Sequence, residues 1–407
     1  MKYLLVILIC CLPKVLCGKS LDKETIMQIA SEHLQTNRCA VVMESEAYSI
    51  IQRDDTTGFI IISLCWKHEG KVIGYSEEGK WDMDNIPPTL KNWLCQLDSY
   101  NEQHQPESHA SKPAFRQNTL APQQQKQSVS PLLTCHWHQK SPYNDLTPVI
   151  TDGNVKTAAG CVAIAAAQIT YYWRNSNPEY TLKDTPVYPY GAAPVTKSIP
   201  KGTPNNWNLM KDYYTSGDSE ESRYAVAQLC YVIGTTSYLN YASSTGGQIN
   251  DAANAMYSQY RLLSDYTAKN KYSQDEWEEL IYQDISNGMP VMCAGSDGDG
   301  HAFVLDGYDA QKDLYHFNFG WGGSGDGYYP VDDSELSMGG YSSNQSIVYN
   351  IHPESSDTGI IQIQTTINHY DEETKVYNLH GQRVNGCENG IYIIDNGKNR
   401  IKVVKRK

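Results

Sequence analysis

Several things are missing from this sequence, and each absence removes a class of protein. There is no Cys-x-x-Cys pair and no Cys/His spacing of the kind that holds a metal, so a zinc module is excluded. No apolar run is long enough to cross a bilayer as a helix, and no internal repeat marks a solenoid. Positive charge is scarce: 33 Lys and Arg stand against 46 Asp and Glu, a net charge of −13, which leaves no electrostatic footprint for nucleic acid. What the chain does have is core material. Its 407 residues are 40% hydrophobic and include 30 tyrosines, which suits two or three domains and excludes both general disorder and a small disulfide-stapled module.

Eleven cysteines suggest a disulfide framework at first sight. Three of them, Cys10, Cys11 and Cys17, fall in residues 1–18, which read as a signal peptide: Lys2 gives a positive start, Leu4 to Leu12 an apolar stretch, and Cys17 and Gly18 a small-residue cleavage region. The remaining eight are scattered singly. Several, such as Cys65 in FIIISLCW and Cys230 in AQLCYVI, sit in apolar runs where a free thiol behaves as a small hydrophobe.

Residues 19–128 read as a small α+β domain with a linker. LDKETIMQIASEHL has helical spacing, AVVMESEAYSII, TTGFIIISLCW and KVIGYSEEG are strand-like, and Pro87 and Pro88 open a second helix. From His104 to Ser130 the chain is rich in Gln, Ser and Pro, so it reads as a solvated linker open to proteolysis, with the exposed stretch Lys126 to Ser130 as the expected place of cleavage. Residues 129–353 place helical text ahead of strand-like text, which argues for α+β rather than alternating α/β. Residues 354–407 are short alternating strands between Gly and Asn turns, a small β-rich module.

The most informative segment is AAGCVAIAAAQITYYW. Gly160 breaks the chain, Cys161 follows, and the next dozen residues form a helix apolar on nearly every face. Unpaired N–H groups and the positive dipole end at a helix start favour thiolate over thiol, as a nucleophile requires. A base is offered by His301, 140 residues on (301 − 161), within the roughly 130 to 150 expected of one large class of thiol hydrolases. Gly300 precedes it in a Gly-rich loop. Asn318, 17 residues further (318 − 301), is placed to fix the imidazole tautomer through its amide oxygen. Gln139, 22 residues before the cysteine (161 − 139), is a candidate donor to a tetrahedral oxyanion beside the Cys161 N–H.

With these motifs the chain resembles the streptopain-like secreted cysteine peptidases, a branch of the papain superfamily. SPLLTCHWHQKSPYN, AAGCVAIAAAQITYYW, GHAFVLDGYD, HFNFGWGGSGDGYY and GGYSSNQSIVYNIHP carry the likeness, and the text from FIIISLCW to IPPTLKNWL resembles the family's propeptide. The resemblance implies a papain-like α+β catalytic domain of two subdomains, preceded by an inhibitory propeptide. It also implies a bacterial endopeptidase, secreted or held at the cell surface and made as a zymogen, that acts on protein or peptide substrates without a cofactor or metal. Cys161 would be nucleophile, His301 acid/base, Asn318 the orienting group and Gln139 part of the oxyanion hole. Where the family usually reads Asn-Trp-Gly-Trp-Gly-Gly, this chain has Phe319 in place of the first Trp and keeps Trp321. Phe319 can still cover the Asn–His pair but lacks an indole donor, and activity is expected to survive the change.

Two other functions fit parts of the pattern. A transglutaminase-like acyltransferase also orders Cys before His but places Asp after it, for which Asp309 and Asp313 are available. A surface binding protein with a weakened site would account for Phe319 and for the carboxy-terminal module, which resembles the sorting domains of exported cargo. Asp297 and Asp299 have calcium-like spacing, but no Glu closes a twelve-residue loop, and His136, His138 and His316 form no metal pattern.

Overall fold

The computed structural model describes residues 21–103 and 126–354, short internal stretches apart, and three strands further on. The signal peptide, the linker residues 104–125 and residues 355–374, where the carboxy-terminal module is expected to begin, lie outside the described residues. Two compact units result, Met1–His352 and Pro353–Lys407.

The first unit opens with α1 (Lys23–Leu34), capped by Asp22, whose carboxylate accepts the Thr25 N–H at 2.8 Å. Strands β1 (Cys39–Glu44), β2 (Tyr48–Arg53), β3 (Phe59–Ser63) and β4 (Val72–Ser76) follow as an antiparallel meander, and α2 (Pro88–Gln103) closes this part. The run AVVMESEAYSII reads as one stretch in sequence but folds into a hairpin. The Ser45 hydroxyl accepts the N–H groups of Ala47 and Tyr48 and turns the chain between β1 and β2. All of β3 is buried because both of its faces are covered: Ile60 and Ile62 pack under α1, while Phe59 and Ile61 pack towards Leu90, Trp93 and Leu97 of α2.

Beyond residue 126 come the small hairpin β5 (Val149–Ile150) and β6 (Val155–Lys156), then α3 (Cys161–Tyr172), α4 (Glu220–Thr236), α5 (Ile249–Tyr260), β7 (Leu262–Ala268) and α6 (Gln274–Ser286). Strands β8 (Val291–Asp297), β9 (Asp299–Asp309), β10 (Leu314–Asn318), β11 (Gly327–Tyr329) and β12 (Ser343–Pro353) complete the unit. Side chains alternate across β9. Ala302 and Val304 join the core of α3, α4 and α5, whereas Phe303 and Leu305 join that of α6 on the other face.

Sequence reading separates an amino-terminal domain from a catalytic one, yet both belong to a single ten-stranded sheet ordered β1-β2-β3-β4-β11-β10-β9-β8-β12-β7. The join is β4 against β11, with Tyr75 opposite Tyr328 and the two rings stacked at 4.7 Å. Gly327 is required there, because a Cβ would collide with the Tyr75 carbonyl. Trp93 of α2 meets Tyr329 edge-on at 5.7 Å, so one apolar core runs through both parts.

Residues Lys126 to Leu133 are exposed at several positions but pinned along their backbone. Val129 and Tyr308 exchange both N–H···O bonds at 2.7 and 2.8 Å, the Gln127 N–H donates to the Tyr282 hydroxyl at 2.7 Å, and Leu132 donates to the Asp306 carbonyl. The Lys126 ammonium lies 5.1 and 5.5 Å from the ring centres of Tyr282 and Tyr308.

In the second unit, β13 (Lys375–Asn378), β14 (Gly390–Asp395) and β15 (Arg400–Lys405) form an antiparallel sheet in that order. Among the described residues seven cysteines are free and no helix is long and apolar enough to cross a membrane.

Candidate active site

The site begins at the chain break before α3. Gly160 has φ of 93°, and a Cβ there would lie 2.9 Å from the Thr245 methyl, so only glycine fits this turn. It offers no side-chain cap, which leaves the first-turn N–H groups free, and the Val162 N–H turns to the Cys161 sulfur. The helix itself is held rigidly, with every side chain from Val162 to Tyr171 buried.

His301 stands on β9 and faces Cys161 within hydrogen-bonding reach. Its Nε2 is 3.0 Å from the Phe319 carbonyl, which can only accept, so Nε2 carries a proton and Nδ1 is the nitrogen left for the thiol. Burial pushes the Cys161 thiol up, but the charge and hydrogen bond of His301, with the N–H groups of Ala302 and Val162, more than reverse this and hold it below the ordinary thiol value. Burial pushes His301 down, while Cys161 and the Phe319 carbonyl together raise it above the ordinary imidazole value. The two shifts are opposite and mutually dependent, and both favour a thiolate–imidazolium pair.

Asn318 ends β10 and is buried, but its amide is engaged elsewhere than the expected bond to the imidazole. Its Nδ2 donates to the Cys135 carbonyl at 2.9 Å, and its Oδ1 accepts from Gln168 Nε2 at 3.0 Å and from the Gly320 N–H at 3.1 Å. The imidazole's acceptor is one residue on, the Phe319 carbonyl, because β10 ends at Asn318 and Gly320, with φ of 69°, turns the chain against Ile164 of α3. The Phe319 ring is fully buried and packs with Phe303, Phe317 and Tyr329, so it does not form a cover over an Asn–His pair. Its N–H donates to the buried Asp326 carboxylate at 2.8 Å, and Asp326 also meets His136 at 3.4 Å. Neither Gln168 nor Asp326 stands out by motif. The signal for Gln168 is one amide in an otherwise apolar helix, since a buried polar group requires partners.

Gln139, Cys161, Gly300, His301 and Trp321 line one cleft of about 1090 Å³. The Gln139 carbonyl accepts the Ala159 N–H at 3.0 Å, tying this segment to the turn that leads into Cys161. Asn85, just ahead of α2, and Pro88, Thr89 and Asn92 at its start also line the cleft, so the amino-terminal part reaches the edge of the site. Asp309 accepts from the Tyr75 hydroxyl and Lys312, and Asp313 accepts from the Tyr308 hydroxyl, so both carboxylates available to a transglutaminase-like triad are engaged away from the imidazole. No group of metal-ligating side chains occurs among the described residues.

A thiol on a buried helix start, facing an imidazole on an antiparallel sheet, places the protein among the papain-like thiol hydrolases. Comparison with known proteins narrows this. Residues 137–329 match the Peptidase C10 family and residues 19–101 match the Spi protease inhibitor family. The chain is thus a streptopain-like cysteine peptidase zymogen, with a Peptidase C10 domain preceded by an inhibitory propeptide domain. It is 29% identical to streptopain of Streptococcus pyogenes over 323 residues, covering 73% of this chain and 79% of that one. It is 26% identical to the thiol protease/hemagglutinin PrtT of Porphyromonas gingivalis over 355 residues, 81% of this chain and 40% of that one. A solved fragment of prointerpain A from Prevotella intermedia, a cysteine-to-alanine mutant, aligns over 78% of this chain and 99% of its own with a TM-score of 0.61 and 27% identity.

Proposed function

We propose that this cysteine endopeptidase zymogen is exported and cleaves peptide bonds with Cys161 as nucleophile. The thiolate attacks the scissile carbonyl carbon, and the oxyanion that forms is met by the Cys161 N–H and the Gln139 side-chain amide. His301 gives its Nδ1 proton to the leaving amine as the C–N bond breaks, then takes a proton from the water that attacks the thioester; breaking of the C–S bond expels the Cys161 thiolate and restores the thiolate–imidazolium pair. Its Nε2–H stays on the Phe319 carbonyl throughout, which keeps the ring in register. Gly300 and Trp321 are support for substrate in the cleft. The observation that carries this reading is the placement of Cys161 at the uncapped start of α3 in one cleft with His301, whose Nε2 is fixed on the Phe319 carbonyl at 3.0 Å; the opposed displacement of the two groups agrees with it.

The activation cut is placed ahead of Lys126, within 104–126, rather than between Lys126 and Ser130. Supporting this is the backbone pairing of Gln127, Val129 and Leu132, which keeps exposed residues out of the extended, unpaired form a protease requires. The test is casein hydrolysis by the matured protein, with Cys161→Ala beside it and the amino terminus sequenced. A loss of about 10⁴-fold or more is expected in the variant, with a first residue no later than Lys126 in the wild type. Equal hydrolysis by both proteins would remove Cys161 from the reaction, and a first residue beyond Lys126 would refute the placement of the cut.

A further inference from the structure

His301 and Cys161 are set on different elements, a strand and a helix, and catalysis requires that they keep a fixed relation. One buried side chain ties the two together. Gln168 lies seven residues beyond Cys161 (168 − 161), on the same helix α3, and is 0% exposed. Its Nε2 donates to Asn318 Oδ1 at 3.0 Å, and its Oε1 accepts the Trp137 N–H at 3.2 Å and faces the Cys135 thiol at 3.7 Å.

The same Asn318 oxygen accepts the Gly320 N–H at 3.1 Å. That N–H and the Phe319 carbonyl belong to one peptide group, which is planar, so its two ends cannot be aimed independently. Holding the Gly320 N–H on Asn318 therefore aims the Phe319 carbonyl, whose oxygen takes His301 Nε2 at 3.0 Å. The geometry points to Gln168 as a positioning residue for the peptidase reaction, acting through Asn318 and the Phe319–Gly320 peptide to hold His301 in register with the helix that bears Cys161. Asn318 thus serves the imidazole through a peptide plane instead of by direct contact. His301 Nε2–H donates to the Phe319 carbonyl, the Gly320 N–H of that same peptide donates to Asn318 Oδ1, and the Gln168 amide donates to that same oxygen and so fixes where it sits.

This inference rests on the assignment of Cys161 and His301 above, and its test separates the two. The rate of Cys161 alkylation by iodoacetamide is followed against pH in matured wild type, Gln168→Met and Gln168→Glu, with kcat expressed per titrated site. Met fills the volume with no polar atom, while Glu keeps the acceptor and loses the Nε2–H donor. Asp326 and His136, the titratable groups across the loop from Phe319, and the Cys135 thiol are unchanged in both. If wild-type Cys161 shows no alkylation below the ordinary thiol range, the assignment of the pair fails. If it does, the expected result for both variants is an alkylation limb moved to higher pH and a kcat lowered about ten- to a hundredfold with KM nearly unchanged. Combining Gln168→Met with Asn318→Ala should then cost little more than the larger single effect, because the two act in series. Folded variants with wild-type profile and kcat would overturn the inference, as would additive losses in the double variant. Failure of both Gln168 variants to yield titratable sites would assign Gln168 to core stability alone and overturn it as well.

Discussion

The helix that carries Cys161 and the strand that carries His301 are backed by different cores. Behind Cys161, α3 packs on Leu229, Val232 and Ile233 of α4 and on Ala252 and Met256 of α5, and every buried member of that cluster lies beyond residue 132. Behind His301, Phe303, Phe317, Phe319 and Tyr329 share their cluster with Phe59, Leu90, Trp93 and Leu97 of the propeptide. Maturation therefore leaves the packing behind Cys161 whole and strips part of that behind His301. The difference shows how a propeptide can bear on catalysis from behind the sheet as well as from the edge of the cleft.

The largest effect expected from this asymmetry concerns core truncation. Trp93→Ala should destabilise the zymogen by about 3–5 kcal/mol and leave the matured enzyme untouched, whereas Leu229→Ala should cost both forms about 2–5 kcal/mol. Denaturant unfolding of the two forms checks this: a Trp93→Ala zymogen of wild-type stability, or a Leu229→Ala loss confined to the zymogen, would break the comparison. Next in size is the polar contact between the parts. Tyr75 donates to the Asp309 carboxylate at 2.8 Å in a buried setting. Hydrogen bonds to charged groups contribute about 1.5–3 kcal/mol, so Tyr75→Phe in a separately supplied propeptide should weaken inhibition of the matured enzyme by about ten- to a hundredfold. An unchanged inhibition constant would mean that apolar packing alone holds the parts together.

The smallest effect is in pH. His33 lies edge-on to Tyr75 at 4.5 Å. Burial first, then the neighbouring Lys312 and Arg53, pull it down to about 4 against the opposing influence of Asp309. With a folded value below the ordinary imidazole value near 6.5, its contribution to docking is full above that pH and is lost as pH falls towards 4. Inhibition in trans should thus weaken by about tenfold between pH 7 and pH 5, and His33→Asn should flatten that slope. For activity itself, thiolate protonation sets the acid limb and loss of the His301 proton the alkaline one, so a bell-shaped profile is expected between the two displaced values.

The asymmetry also explains what could be read from sequence. Cys161 and His301 stand out in sequence because local text marks them, a Gly-Cys junction opening an apolar helix and a Gly-His step opening a strand, and the fold brings the two to one cleft. Asn318 was legible as a residue and not as a contact, since its role depends on which way the next peptide plane faces. The shared sheet was not legible at all. Tyr75 and Tyr328 meet across more than half the chain, and nothing in either strand's pattern names its partner. Lys126 to Ser130 looked cleavable by exposure, yet backbone pairing with β9 is invisible in composition.

Discarding part of one's own sheet raises a problem of solubility. Once β4 departs, β11 becomes a raw edge, and raw edges recruit other chains. Here that edge is only Gly327–Tyr329, joined to β4 through one register pair and followed at once by Pro330, which has no N–H to offer a new strand. The seam is therefore held by side chains and not by a backbone zipper, so it can part without peeling a ladder, and what it uncovers is too short to template aggregation.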